Sequence, residues 1–163
     1  MDSEEVLNRI INLSRAKFRD LIAVMLGHLF GFKVASVDAP GHAGSDWILF
    51  TSGGEKISVA VQDTVQQLKW QDKALDDAKK AKANGANRFF FCTNRVHQSI
   101  TTKPLENKIT TATGLSATVL DGRQLAELIV QGDLIDDFLA AIGEGVPRKR
   151  QICLRWHFLR TRT

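Results

Sequence analysis

Apolar residues recur at helical spacing twice before the first glycine-rich stretch. Val6, Leu7, Ile10 and Ile11 follow Asp2 and Glu5, which stand three apart as in a capping box, so a first helix is expected there. Phe18, Leu21, Ile22, Met25, Leu26 and Leu29 share one face of a second helix, which Gly31 stops. Strand patterns then run from Phe32 to Val37, through Asp46 to Phe50, and from Lys56 to Gln62, the last two joined by a turn at Ser52-Gly53-Gly54. Residues 68–83 return to helical spacing, with Leu68, Leu75 and Ala78 inward, Lys and Asp outward, and Asn84-Gly85 at the end. Arg88 to Asn94 is apolar on both faces and reads as a buried strand. A partly helical polar segment through Ile109 follows, then a strand from Leu115 to Leu120. An apolar helix after Asp121-Gly122, carrying Leu125, Leu128 and Ile129, and a short helix from Asp133 to Ile142 complete the pattern. The order ααβββαβαβαα predicts an α/β fold with a mixed central sheet flanked by helices on both faces.

Composition narrows the picture little. The 163 residues, 44% hydrophobic and 25% charged, suit one domain with a sizeable core, expected over residues 1–146. No apolar run approaches the ~20 residues of a membrane span, and the acidic start Met1-Asp2-Ser3-Glu4-Glu5 is unlike a targeting peptide, so a cytoplasmic protein without membrane contact is expected. Cys92 and Cys153 lack metal-ligand spacing and read as thiols.

Charge changes the picture more. The net charge is +4, yet residues 147–163 hold six basic residues (Arg148, Lys149, Arg150, Arg155, Arg160 and Arg162) and no acid, leaving 16 basic against 18 acidic residues before them. The body is therefore no general polyanion binder, and any nucleic-acid contact must come from a local patch or from the tail. Pro147-Arg148-Lys149-Arg150 reads as a linker or basic tail. Beyond it Ile152, Leu154, Trp156 and Phe158 alternate with polar residues, a pattern that fits a strand docked on this domain, on a second copy or on a fused partner domain.

The candidate chemistry lies in the loop and hairpin. Gly41-His42-Ala43-Gly44-Ser45-Asp46 delivers one acid onto a strand, and the partner strand ends in Gln62-Asp63-Thr64. Antiparallel pairing holds Asp46 beside Gln62 and Thr64, a layout suited to a divalent cation against a phosphate. Asp63 alternates to the other face, and only a bulge or its backbone carbonyl brings it to the site. Trp47, the strand neighbour of Asp46, points to the buried face and packs. His28, among apolar helix positions, is expected at the edge of the core.

Taken together, Gly31-Phe32-x-Val34, Gly44-Ser45-Asp46, the hairpin to Val61-Gln62, the strand ending Phe91-Cys92-Thr93-Asn94, and Leu120-Asp121-Gly122-x-x-Leu125 resemble the restriction-endonuclease-like superfamily, PD-(D/E)XK. Within it the likeness is to Mrr-type nuclease domains of bacterial defence and DNA-processing proteins, over roughly residues 14–130. The resemblance implies a metal-dependent DNA endonuclease. Asp46 and Gln62 match the positions that hold Mg²⁺ or Mn²⁺, and the strand end at Asn94, Arg95 and His97 matches a substrate approach. His42 is a further candidate for DNA contact, with Arg148, Lys149 and Arg150 of the tail. Two positions depart from the pattern. Thr64 stands where a lysine is expected and lacks its charge, and Phe18-Arg19-Asp20 replaces Phe-Glu in the N-terminal helix. Lys69 and Lys73, at i and i+4 on the next helix, are candidates for the missing charge. With one carboxylate and one amide the site binds Mg²⁺ weakly until a phosphate completes the shell. The alternative is a catalytically degenerate nuclease fold acting as a DNA-binding or protein-interaction module.

Overall fold

Local signals start and stop the helices. Asp2 accepts from the Glu5 amide at 2.9 Å while Glu5 reaches back to the Asp2 amide at 3.0 Å, the reciprocal capping box that opens α1 (Ser3–Ile11). Ser14 caps α2 (Arg15–Phe30), and Gly31 closes it at φ 69°, a left-handed conformation that costs glycine little. A computed structural model gives the architecture and describes residues 1–35, 46–62, 69–97 and 99–145. Its elements continue as β1 (Lys33–Ala35), β2 (Trp47–Phe50), β3 (Lys56–Gln62), α3 (Trp70–Ala83), β4 (Arg88–Thr93), α4 (Ser99–Thr113), β5 (Ser116–Leu120), α5 (Gly122–Gln131) and α6 (Ile135–Ala141). The order is the one the sequence pattern predicts.

The five strands lie in sequence order. β1, β2 and β3 pair antiparallel, whereas β3, β4 and β5 pair parallel. Each parallel step needs a crossover, and α3 and α4 supply the two. Both pack on one face of the sheet, where Ala74, Ala78, Ala81, Leu105 and Ile109 meet Ala60, Phe89, Phe91 and Val119. The other face is covered by α1, α2, α5 and α6. There Val6, Ile10, Phe18, Ile22, Met25, Leu125, Ile129 and Phe138 enclose Ile57, Val59, Val61, Phe90 and Cys92. β4 is thus apolar on both sides because helices cover both. At the β5 edge, Glu106 of α4 accepts the Val119 amide at 2.9 Å, which occupies a donor that an open edge leaves for another strand.

Three local expectations change. α4 is helical throughout, because its inward stripe is Thr102, Leu105 and Ile109, and the threonine hides that periodicity. The inward face of α3 is Trp70, Ala74, Asp77, Ala78 and Ala81, with Leu75 only half-buried, because a close helix-to-sheet approach favours alanine. His28 is exposed: it sits at the flank of the stripe, in the last turn of α2.

Candidate functional site

Asp46 immediately precedes β2, where Trp47 pairs with Val59. Asp46 itself is a bend at the mouth of that pairing rather than a further rung of it. The Asp46 amide donates to the Val59 carbonyl at 2.7 Å, and its carboxylate Oδ2 accepts the Val61 amide at 2.8 Å. One oxygen is therefore anchored to β3. The other, Oδ1, has the Arg15 guanidinium at 3.8 Å. Arg19, one turn further along α2, donates from Nη2 to the Asp46 carbonyl at 3.2 Å and lies 4.8 Å over the Trp47 ring. Trp47 donates from Nε1 to the Arg19 carbonyl at 2.8 Å and packs beside the α2 core, so it is a packing residue as its alternation implies. Sequence pattern alone missed Arg15 and the use of Arg19. The available signal was the basic residue in Phe18-Arg19 where an acid is expected.

Gln62 ends β3 and is buried, in register with Thr93 of β4. The chain beyond Thr93 is held tightly. Asn94 is buried and its carbonyl lies against Gly122, where an added Cβ would sit 2.7 Å from that oxygen. The Gly122 amide donates to the Arg95 carbonyl at 3.0 Å, and Asp121 accepts the His97 amide at 3.0 Å while capping α5 through Gln124 at 2.8 Å. The Leu120-Asp121-Gly122 motif therefore fastens the strand end to α5. Trp70, at the start of α3, stacks on His97 with ring centres 4.1 Å apart. Burial pulls the His97 pKa below its ordinary value, with Asp121 opposing the shift. Asn94 presents little surface to a large ligand. Arg95 is half-buried and its Nε has no hydrogen-bond partner among the described residues.

On α3, Lys69 is exposed just before the first turn, and Lys73 donates to Asp77 Oδ2 at 2.6 Å. Asp77 is the unexpected member: its side chain is 6% exposed. Burial raises its pKa against the pull of Lys73, and the charge of Asp46 adds to the rise. Asp46 also adds to the upward shift that burial imposes on the Cys92 thiol. One carboxylate therefore sits in the field shared by the ends of β3, β4 and α3.

His42, Asp63, Thr64, Arg148, Lys149 and Arg150 lie outside the described residues, as does Cys153. Among the described residues no group of three or more His, Cys, Asp or Glu side chains is placed to hold a metal. Asp46 and Gln62 offer oxygen atoms only, a donor chemistry suited to Mg²⁺ or Mn²⁺ rather than to zinc. A groove of about 660 Å³ lies on the other flank of the α2 start, lined by Asn8, Arg9, Leu13 and Lys17. Its cations are engaged, Arg9 by Glu144 and Lys17 by the Ile142 carbonyl at 3.3 Å. Among the described residues no helix is long and apolar enough to cross a membrane.

No protein-family model matches the chain, and no curated protein matches it. Solved structures do. The restriction endonuclease FokI superposes with a TM-score of 0.52 at 10% identity, over 88% of this chain and 30% of FokI. FokI bound to DNA superposes with a TM-score of 0.51 at 11% identity, over 88% and 30%. This chain thus spans about a third of the length of the structures it matches. The five-stranded mixed sheet, its two one-sided crossovers and this likeness together give the chain a restriction-endonuclease-like fold.

Proposed function

We propose that the chain is a nuclease domain acting on DNA phosphodiesters with the help of Mg²⁺ or Mn²⁺, of Mrr type, and belonging to a cytoplasmic protein of bacterial defence or DNA processing. The observation that carries the reading is the posture of Asp46. Its Oδ2 is fixed to the Val61 amide, its Oδ1 has the Arg15 guanidinium at 3.8 Å, and Gln62 is the next residue of the same strand, β3. A bound divalent cation supplies a Lewis acid for the phosphoryl oxygen and a more acidic water. Asp46 and Gln62 are the residues that hold it, with the Asp63 carbonyl, and Thr64 positions water. Lys69 or Lys73 adds charge from the α3 flank. The likeness to FokI bound to DNA supports DNA as the polymer. Residues 1–146 form the domain, and the basic tail joins it to DNA, to a second copy or to a fused partner.

The test is plasmid nicking with Mg²⁺ and with Mn²⁺, comparing the chain with Asp46→Ala. Cation-dependent nicking that disappears in the variant supports the reading, and equal activity in both ends it. A second reading is favoured by Thr64 at the lysine position: a degenerate nuclease fold that binds DNA or protein without cutting. DNA binding with no nicking in either cation selects it.

A further inference from the structure

We propose that Arg19 is the positioning residue for Asp46: it holds the backbone of that residue where the carboxylate can take a divalent cation, and so sets the cation affinity of the site. This inference rests on the nuclease-like reading of Asp46.

Asp46 precedes the first rung of β2, so the strand ladder alone does not fix it. Contacts from two sides do. From β3, the Val59 carbonyl accepts its amide at 2.7 Å and the Val61 amide donates to its Oδ2 at 2.8 Å. From α2, Arg19 Nη2 donates to its carbonyl at 3.2 Å. Arg19 is held in turn by the residue next to Asp46: its guanidinium lies 4.8 Å from the centre of the Trp47 ring, and its own carbonyl accepts the Trp47 indole N–H at 2.8 Å. One residue of α2 thus clasps both Asp46 and Trp47.

Two features separate this clasp from ordinary packing. Arg19 Nε is buried with no hydrogen-bond partner among the described residues, a cost that an apolar side chain of similar length avoids while still covering Trp47. Packing alone does not favour a guanidinium here. The second feature is its place: where the nuclease resemblance has an acid on this helix, Phe18-Arg19 brings a cation, which cannot ligate a metal. Acting through its charge alone, a guanidinium beside a cation site repels the ion, and its removal tightens cation binding. Acting through the Asp46 carbonyl, it steadies a ligand, and its removal loosens cation binding. The two roles differ in sign.

The experiment is Mn²⁺ titration of the full chain, followed by the electron paramagnetic resonance signal of the free ion, with a urea midpoint for each variant. The Mn²⁺ concentration for half-maximal plasmid nicking is recorded alongside and reads the same affinity with phosphate present. Arg19→Met covers Trp47 without an orphan donor and is expected to match or exceed the wild-type urea midpoint. It nevertheless binds Mn²⁺ about tenfold more weakly, the low end of the range for losing a group that orients a ligand, while KM for plasmid stays within about threefold. Arg19→Lys keeps the charge and a donor without the planar face, and falls between wild type and Arg19→Met. Lys17→Ala frees α2 from the Ile142 carbonyl without touching Asp46 and keeps wild-type Mn²⁺ affinity. Should Arg19→Met lose stability, the decision passes to Arg19→Lys, where weaker Mn²⁺ binding supports the inference and wild-type binding overturns it. Mn²⁺ bound by a stable Arg19→Met as tightly as by wild type, or more tightly, overturns the inference and leaves the nuclease-like reading intact. A chain that shows neither Mn²⁺ uptake dependent on Asp46 nor nicking overturns both.

Discussion

The two helices that flank the end of β3 bring cations to it in opposite ways. α2 presents Arg15 and Arg19 directly to Asp46, one to the carboxylate and one to the carbonyl. α3 presents Lys73, but closes it on its own helix through a buried Asp77 at 2.6 Å. α2 therefore directs its charge at the Asp46 segment, whereas Lys73 directs its own at a buried acid of α3.

The comparison can be broken most severely at the residue both flanks share. Asp46→Ala is expected to lower cation-dependent nicking at least about 100-fold, the scale of removing one pre-organised group from a charged transition state. If nicking survives, neither flank serves a site at Asp46. The next effect separates the flanks. Arg19→Ala is expected to lower the nicking rate about tenfold, because the Asp46 segment loses the guanidinium that holds its carbonyl and covers the Trp47 ring. Lys73→Ala is expected to leave the rate within about threefold, since its ammonium is engaged by Asp77. Equal losses in both variants would erase the distinction.

Smaller effects read the buried acid and the stacked histidine. The folded-state pKa of Asp77 lies above its ordinary value of 3.8, so the native state holds the proton more tightly and stability falls as pH rises through the folded pKa. Asp77→Asn is therefore expected to melt higher than wild type at neutral pH, with the gap closing as pH is lowered toward 4. A variant that melts lower at pH 7 would mean that the Lys73 pair outweighs burial. His97 runs the other way: its folded pKa lies below the ordinary 6.5. The unfolded chain takes up the proton first, and stability declines as pH falls below that value. Replacing His97 by Phe keeps the stack on Trp70 and is expected to flatten the acid side of the urea-midpoint profile between pH 7 and 5, a smaller change than that of Asp77→Asn.

The same contrast explains what could be read from the chain. The capping box at Asp2 and Glu5, the stripe from Phe18 to Leu26, and the doubly apolar β4 are local patterns set by the period of one element. The element order and the mixed sheet follow from them. Asp77 was not legible as buried, because a charged residue in a lysine-rich helix looks like surface until Ala74, Ala78 and Ala81 are seen to bring that face against the sheet. The likeness of Gly44-Ser45-Asp46 and Gln62 to a nuclease motif concerns the strands and the helix that follows, not α2. Arg15 and Arg19 reach Asp46 from about 30 residues away in sequence, a contact that no periodicity encodes.

A crystal structure of the full chain with a DNA duplex and Ca²⁺, which occupies oxygen sites without promoting rapid cleavage, tests the central claim most directly. A phosphodiester beside Asp46 is expected there, with the cation on Asp46 and Gln62 and the Oδ2 bond to the Val61 amide unchanged. Duplex bound on another face, with neither phosphate nor cation at Asp46, would contradict it.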